Sequence, residues 1–142
     1  MTIQSDGSED LKTIGELSGT DNLRFHVRQN GLAIAIELLS RHISGAPVVD
    51  GKGKLIGFIS EFDLLKALDS GKDIRKLRAE DMMTKAPIAI DESTTIDEAV
   101  KLMEKNHLLV LPVQKKDGAV THSVTRHDLL RARVGLGLSV EE

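Results

Sequence analysis

The 142-residue sequence contains no cysteine, no tryptophan and no tyrosine. Without cysteine there is no disulfide, no thiol nucleophile and no thiolate metal site. Its only aromatics are Phe25, Phe58 and Phe62, too few for the stacking platforms on which single-stranded nucleic acids bind. A surplus of charge is lacking as well. The 19 basic and 22 acidic residues leave a net charge of −3, which offers no global attraction to nucleic acid or to an anionic membrane. No apolar run approaches membrane-spanning length, and the amino end, Met1 to Asp10, is polar and acidic, unlike a signal peptide. The expected compartment is therefore cytoplasmic. What remains, 40% hydrophobic and 29% charged residues, is the composition of a globular domain rather than a disordered chain.

Against that background the sequence repeats itself once. Pro47-Val48 returns as Pro112-Val113, Gly53 as Gly118, Asp63-Leu64-Leu65 as Asp128-Leu129-Leu130 and Ala67 as Ala132, each pair 65 residues apart. A repeat sets the architecture before any single residue is read. In the first copy, Leu23, Phe25 and Val27 alternate with polar residues as in a half-buried strand, and Leu32 to Leu39 keep a helical period. Ala46–Val49 and Leu55–Ile59 flank the turn-forming Asp50–Lys54, which predicts a β-hairpin, and Ser60 opens a second helix. The second copy follows the same order: a strand at Ile88 and Ile90, a helix over Ile96–Met103, a hairpin of Val110–Val113 with Val120–Val124, and a last helix at Leu129-Leu130 ended by Gly135 and Gly137. The first helices align at 64 rather than 65, Leu39 with Met103, implying one residue gained or lost before the hairpin. Ser8 to Leu17 reads as a short capping helix, and Gly71 to Arg78 as a charged linker too short to separate two domains. A lone unit of this size buries little core, so the two copies are expected to pack on each other.

Two polar pairs sit at equivalent strand-to-helix junctions, Ser60 with Asp63 and Thr125 with Asp128. One reading is a capping box, in which hydroxyl and acid satisfy each other's backbone N–H. The other is recognition: a helix start offers free N–H groups to a phosphate, and a carboxylate accepts from both ribose hydroxyls. The two are compatible. His122 and His127 near Asp128 lack a third converging ligand for a metal, and Ser60, which with Asp63 and a histidine could suggest a nucleophile, lies in no Gly-x-Ser-x-Gly turn. Lys72, Arg75, Lys76 and Arg78 are interleaved with acids, the pattern of a solvated face.

The string Ile43 to Asp50, then Leu55 to Ser60 and Asp63 to Leu65, resembles a CBS (cystathionine β-synthase) domain, and Asp81 to Ile88 followed by Thr94 to Ala99 resembles the lead-in segment of a second one. The resemblance runs from Leu17 to Arg133 and implies an α/β (α+β) fold of two β-α-β-β-α repeats packed as a pseudo-twofold pair, a Bateman module. It implies an extension over 1–16, repeats over 17–71 and 80–135, a linker over 72–79 and a tail over 136–142. Such pairs are regulatory sensors of AMP, ADP, ATP, NAD or S-adenosylmethionine, without catalysis and without an obligatory cofactor. They usually form flat homodimers that signal to an effector protein. Carried over by position, Thr125 and Ser60 match the phosphate-contacting hydroxyl and Asp128 and Asp63 the ribose-binding acid. Thr84, Pro87 and Ile88 match the segment that lines the cleft and meets the adenine, and Ser18 stands in for Thr84 in the first copy. Arg126 follows its hydroxyl where a cation helps hold phosphate, whereas Glu61 occupies that place in the first copy. A phosphorylated ligand is therefore expected at Thr125, Arg126 and Asp128. The alternative is an interaction module whose pockets bind nothing.

Overall fold

Each of the four longer helices begins where a side chain accepts from its unpaired first-turn N–H groups. The computed structural model describes residues 12–18 and 20–136. Asn30 caps α1 (Gly31–Arg41), its side-chain oxygen accepting from the N–H groups of Leu32 and Ala33, and Thr95 caps α4 (Ile96–Asn106) through a reciprocal box with Glu98. Both helices stop at a histidine in the left-handed region, His42 with φ 54° and His107 with φ 55°. Between these matched ends the register is the same in both copies: Ile34 and Leu38 are buried as Ala99 and Met103 are. The first helices thus align at the common spacing of 65, as Asn30 and Thr95 do, and Leu38 rather than Leu39 is the partner of Met103. The misalignment arose because Leu38 and Leu39 are both apolar; only burial separates them, since Leu39 is 66% exposed.

The hairpins form as expected, β2 (Gly45–Val49) with β3 (Leu55–Ser60) and β5 (Val110–Gln114) with β6 (Val120–Thr125), each antiparallel and each with a bulge before its turn. Gly53 and Gly118 have φ of 79° and 92°, a conformation that glycine adopts without a Cβ clash. The two turns meet: Leu55 N–H donates to Gly118 O at 2.9 Å and Val120 N–H to Gly53 O at 3.0 Å. Exchanging the copies turns one bond into the other, which is the mark of a pseudo-twofold axis between the hairpins. After the hairpins come α2 (Glu61–Asp69) and α5 (Arg126–Arg133).

The leading strands are shorter than the periodicity suggests. β1 (Phe25–His26) pairs in parallel with β2, whereas in the second copy the equivalent contact shrinks to one parallel bridge, Ile90 with Val113. The expected strand through Ile88 and Ile90 does not form. Pro87 supplies no N–H to a ladder, and Ala86 has φ 51°, which breaks the extended run. Ahead of it, the short α3 (Ala79–Met82) leads into β4 (Thr84–Lys85). The expected helix over 8–17 is a single 3₁₀ turn, Ile14–Glu16, within the described part; Ser8 to Leu11, and Gly137 as a helix terminator, lie outside the described residues.

Each lead-in segment serves the opposite copy. β4 pairs with β3 of the first copy, Gly57 with Lys85 and Phe58 with Thr84. Reciprocally, Ile14 and Leu17 are buried with Ile96, Leu111 and Val124 in the second copy's core, and Ile14 N–H donates to Thr94 O at 2.8 Å. Thr13 bridges to Thr95 as Arg78 bridges to Asn30. The linker is packed as well: Ile74 is buried, and Gly31 N–H donates to Leu77 O at 2.9 Å. Leu23, Phe25, Ile34, Leu38 and Ile59 form the other core, which also takes in Val110 from the second copy.

Candidate functional site

At the start of α2, Ser60 Oγ accepts from Asp63 N–H at 3.2 Å, while Asp63 Oδ2 accepts from Ser60 N–H at 2.8 Å and from Ser60 Oγ at 3.0 Å. At the start of α5, Thr125 Oγ1 accepts from Asp128 N–H at 3.1 Å and Asp128 Oδ2 from Thr125 N–H at 2.8 Å. Both junctions are therefore capping boxes. The second carboxylate oxygen separates them. Asp128 Oδ1 accepts from Arg131 Nη2 at 2.8 Å, in an ion pair whose carboxylate side chain is 6% exposed, and the same nitrogen donates to Ser18 O at 2.9 Å. At the equivalent place in the first copy stands Lys66, whose ammonium lies 5.8 Å from the Phe62 ring centroid instead. Among the described residues no ion pair joins Lys66 to Asp63.

The first-copy corner opens into a cleft of about 580 Å³. Ser60 at the end of β3, with Glu61 and Asp63 of α2, lines one side, and Thr84, Pro87 and Ile88 of the second lead-in line the other. Phe58 also lines it, together with His107, Leu108, Leu109 and Pro112 of the second copy. The pairing of β4 with β3 positions the second wall, and it depends on Gly57: a Cβ there would lie 2.9 Å from Met83 Cγ and 3.0 Å from Thr84 O. The structure thus brings together five of the sequence-expected residues, Ser60, Asp63, Thr84, Pro87 and Ile88. It places Thr125, Asp128 and Ser18 around the Arg131 pair instead. Ser18 offers a backbone carbonyl to Arg131, and the common spacing sets it against Met83, not Thr84. Arg126 is exposed and borders a different groove with Val100, Leu129 and Arg133.

The second copy has His122 where Gly57 stands in the first. The ring is half-buried beside Asp21 and Arg41, with Nδ1 3.0 Å from Thr121 Oγ1. Burial pushes its pKa below the usual 6.5, and the Arg24 guanidinium adds to this, while Glu92 and Asp128 pull the other way. Arg24 is itself fixed to β6, donating to Val120 O at 2.7 Å and Thr121 O at 2.8 Å. A more open hollow of about 610 Å³ lies over α4 and the end of β5, bordered by Lys101, Lys105, Lys115 and Lys116, but none of the expected site residues reaches it. Among the described residues no group of three or more His, Asp or Glu side chains is placed to hold a metal ion, and no helix is long and apolar enough to cross a membrane.

Arg131 is the residue that sequence reasoning passed over. Asp128 and Arg131 stand three apart on a helix, a spacing that brings side chains together. Lys66 has the same spacing from Asp63, and that symmetry hid the difference.

Two copies, crossed lead-in segments and a cleft between them define a class, and comparison with known proteins agrees with it. The chain belongs to the CBS domain family, which matches residues 29–70 and 79–135; it is a tandem CBS pair. It is 31% identical over 163 residues to the chloroplastic CBS domain-containing protein CBSX1 of Arabidopsis thaliana, covering 93% of this chain and 68% of the relative. The CBS domain pair of protein MJ0100, solved with 5′-methylthioadenosine and S-adenosylmethionine, superposes with a TM-score of 0.78 at 26% identity, over 88% of this chain and 98% of that one. CBSX2, solved with AMP, superposes at 0.75 with 22% identity, over 87% and 97% of the two chains, and shares the fold.

Proposed function

We propose that this CBS pair is a regulatory module that binds an adenosine-containing ligand between its two copies and relays occupancy to an effector protein. The cleft carries the proposal. It gathers Ser60 and Asp63 from one copy and Thr84, Pro87 and Ile88 from the lead-in of the other, so a ligand there touches both halves and biases how they pack. The Asp63 carboxylate suits a ribose diol, and the apolar wall at Pro87 and Ile88 suits a purine face. The adenosine ligands of the MJ0100 pair support this choice of chemistry. Catalysis is not part of the proposal: Ser60 Oγ is held within the capping box, donating to the Asp63 carboxylate and accepting from Asp63 N–H, and among the described residues no histidine is hydrogen-bonded to it.

The corner of Thr125, Arg126, Asp128 and Ser18 is proposed as a second, equivalent position held shut by Arg131. Ligand at that corner requires Arg131 to leave Asp128. Assembly is proposed as a cytoplasmic homodimer joined through helices: Leu32, Ile36 and Leu39 share one face of α1 and are 40%, 56% and 66% exposed. A thermal-shift panel of adenosine, AMP, ADP, ATP, NAD, 5′-methylthioadenosine and S-adenosylmethionine tests the reading, since a ligand that binds the native state raises the melting temperature. At least one compound must raise it, and a panel with no effect leaves a ligand-free interaction module.

A further inference from the structure

The cleft has an unusual charge balance for a nucleotide site. Its lining contains two carboxylates, Glu61 and Asp63, and neither lysine nor arginine; His107 is its only other titratable side chain. The nearest candidate cation on α2, Lys66, is drawn onto the Phe62 ring and does not line the cleft.

The helix start does not make up for this. Of the four N–H groups that open α2, three are already engaged. Ser60 N–H donates to Asp63 Oδ2 at 2.8 Å, Asp63 N–H to Ser60 Oγ at 3.2 Å, and Glu61 N–H to Ser44 O at 2.9 Å. A helix terminus attracts an anion through unpaired N–H groups, and here three of the four are spent on the helix's own cap and on Ser44, the residue before β2. Glu61 occupies the first helical position, where its carboxylate takes up the positive end of the dipole. A phosphate placed beside Ser60 would meet that carboxylate instead of a cation. Only copy two, with Arg126 at this position, has the opposite charge, and there the acid that would take ribose is paired with Arg131.

We infer that the cleft selects an adenosyl ligand carrying no 5′-phosphate, with a neutral or cationic group at the 5′ position, and that Glu61 is the residue that sets this selectivity. The inference rests on the adenosyl-ligand reading above. It draws on the charge of the lining and the use of the N–H groups, which that reading does not need.

Calorimetric titration at pH 8, where imidazoles are largely neutral, tests it with 5′-methylthioadenosine, S-adenosylmethionine and AMP on the full chain, Glu61→Gln and Glu61→Arg. Glu61 is exposed, so both variants keep the fold. The unaltered protein is expected to bind the two phosphate-free compounds at least roughly tenfold more tightly than AMP. Glu61→Gln narrows the gap, and Glu61→Arg raises AMP affinity by roughly tenfold or more. AMP binding as tightly as 5′-methylthioadenosine to the unaltered protein overturns the inference and leaves the adenosyl reading standing. A preference unchanged in Glu61→Arg also overturns it, because Glu61 then selects nothing. If none of the three compounds binds, the adenosyl reading itself has failed.

Discussion

Asp63 and Asp128 occupy the same position in the two copies, yet replacing each with alanine is expected to damage different properties. Asp63→Ala removes one half of a capping box, worth about 0.5–2 kcal/mol. It also removes the charged acceptor proposed for a ribose diol, at about 2–4 kcal/mol of binding. Affinity for an adenosyl ligand then falls roughly 30- to 1000-fold, and the melting temperature falls by about 2–6 °C at ~3 °C per kcal/mol for a domain of this size. Asp128→Ala removes an equivalent cap and in addition strands Arg131. Its Nη2 loses the carboxylate, and its Nε is already buried without a partner. The Arg131 side chain is 30% exposed and keeps some contact with water, so losing its charge-assisted bond costs about 1.5–3 kcal/mol beyond the cap, and the melting temperature drops by about 6–15 °C. Affinity at the open cleft changes less than threefold. Differential scanning fluorimetry and calorimetry on the two variants give the four numbers. The reasoning is refuted if Asp128→Ala melts within 3 °C of the unaltered protein while losing affinity, or if Asp63→Ala binds as before.

Gly57→Val is expected to separate β4 from β3, because its Cβ would press on Met83 and the Thr84 carbonyl; hydrogen exchange at Thr84 and Lys85 should speed up, and ligand binding should fall with it. His122 is held neutral by burial, so its folded pKa lies below 6.5 and the unfolded chain takes up the proton first. Its contribution is complete above pH 6.5 and declines as pH falls toward the lowered folded value; urea unfolding at pH 7.5 and 5.5 should show a smaller acid loss in His122→Gln. Ile36→Glu with Leu39→Glu places two charges on the exposed apolar face of α1; sedimentation at micromolar concentration is expected to show a dimer for the unaltered protein and a monomer for this variant.

How much was legible in the sequence follows the range of the interactions involved. Hairpins and caps are local: the Asp50–Lys54 and Asp117–Gly118 turns and the Ser60 and Thr125 boxes involve residues a few positions apart, and they form as read. The crossing of the lead-in segments was not legible, because the pairing of Thr84 with Phe58 rather than with its own copy is decided by packing across the pseudo-twofold axis. That crossing moves Thr84, Pro87 and Ile88 to the Ser60 corner and Ser18 to the Asp128 corner. The helix register needed burial to resolve it, since Leu38 and Leu39 are equally apolar. The state of Asp128 was hidden for a third reason. Lys66 and Arg131 are like-charged counterparts, and whether such a cation turns inward to its acid or outward to a ring at position 62 or 127 depends on the neighbours, Phe62 in one copy and His127 in the other.

The measurement that bears most directly on the central claim is a crystal structure grown with 5′-methylthioadenosine. The account predicts one molecule per chain in the cleft between the copies, with both ribose hydroxyls on the Asp63 carboxylate, the base against Pro87 and Ile88, and the Arg131–Asp128 pair intact. Ribose on Asp128 with Arg131 displaced and the Ser60 cleft empty would contradict it.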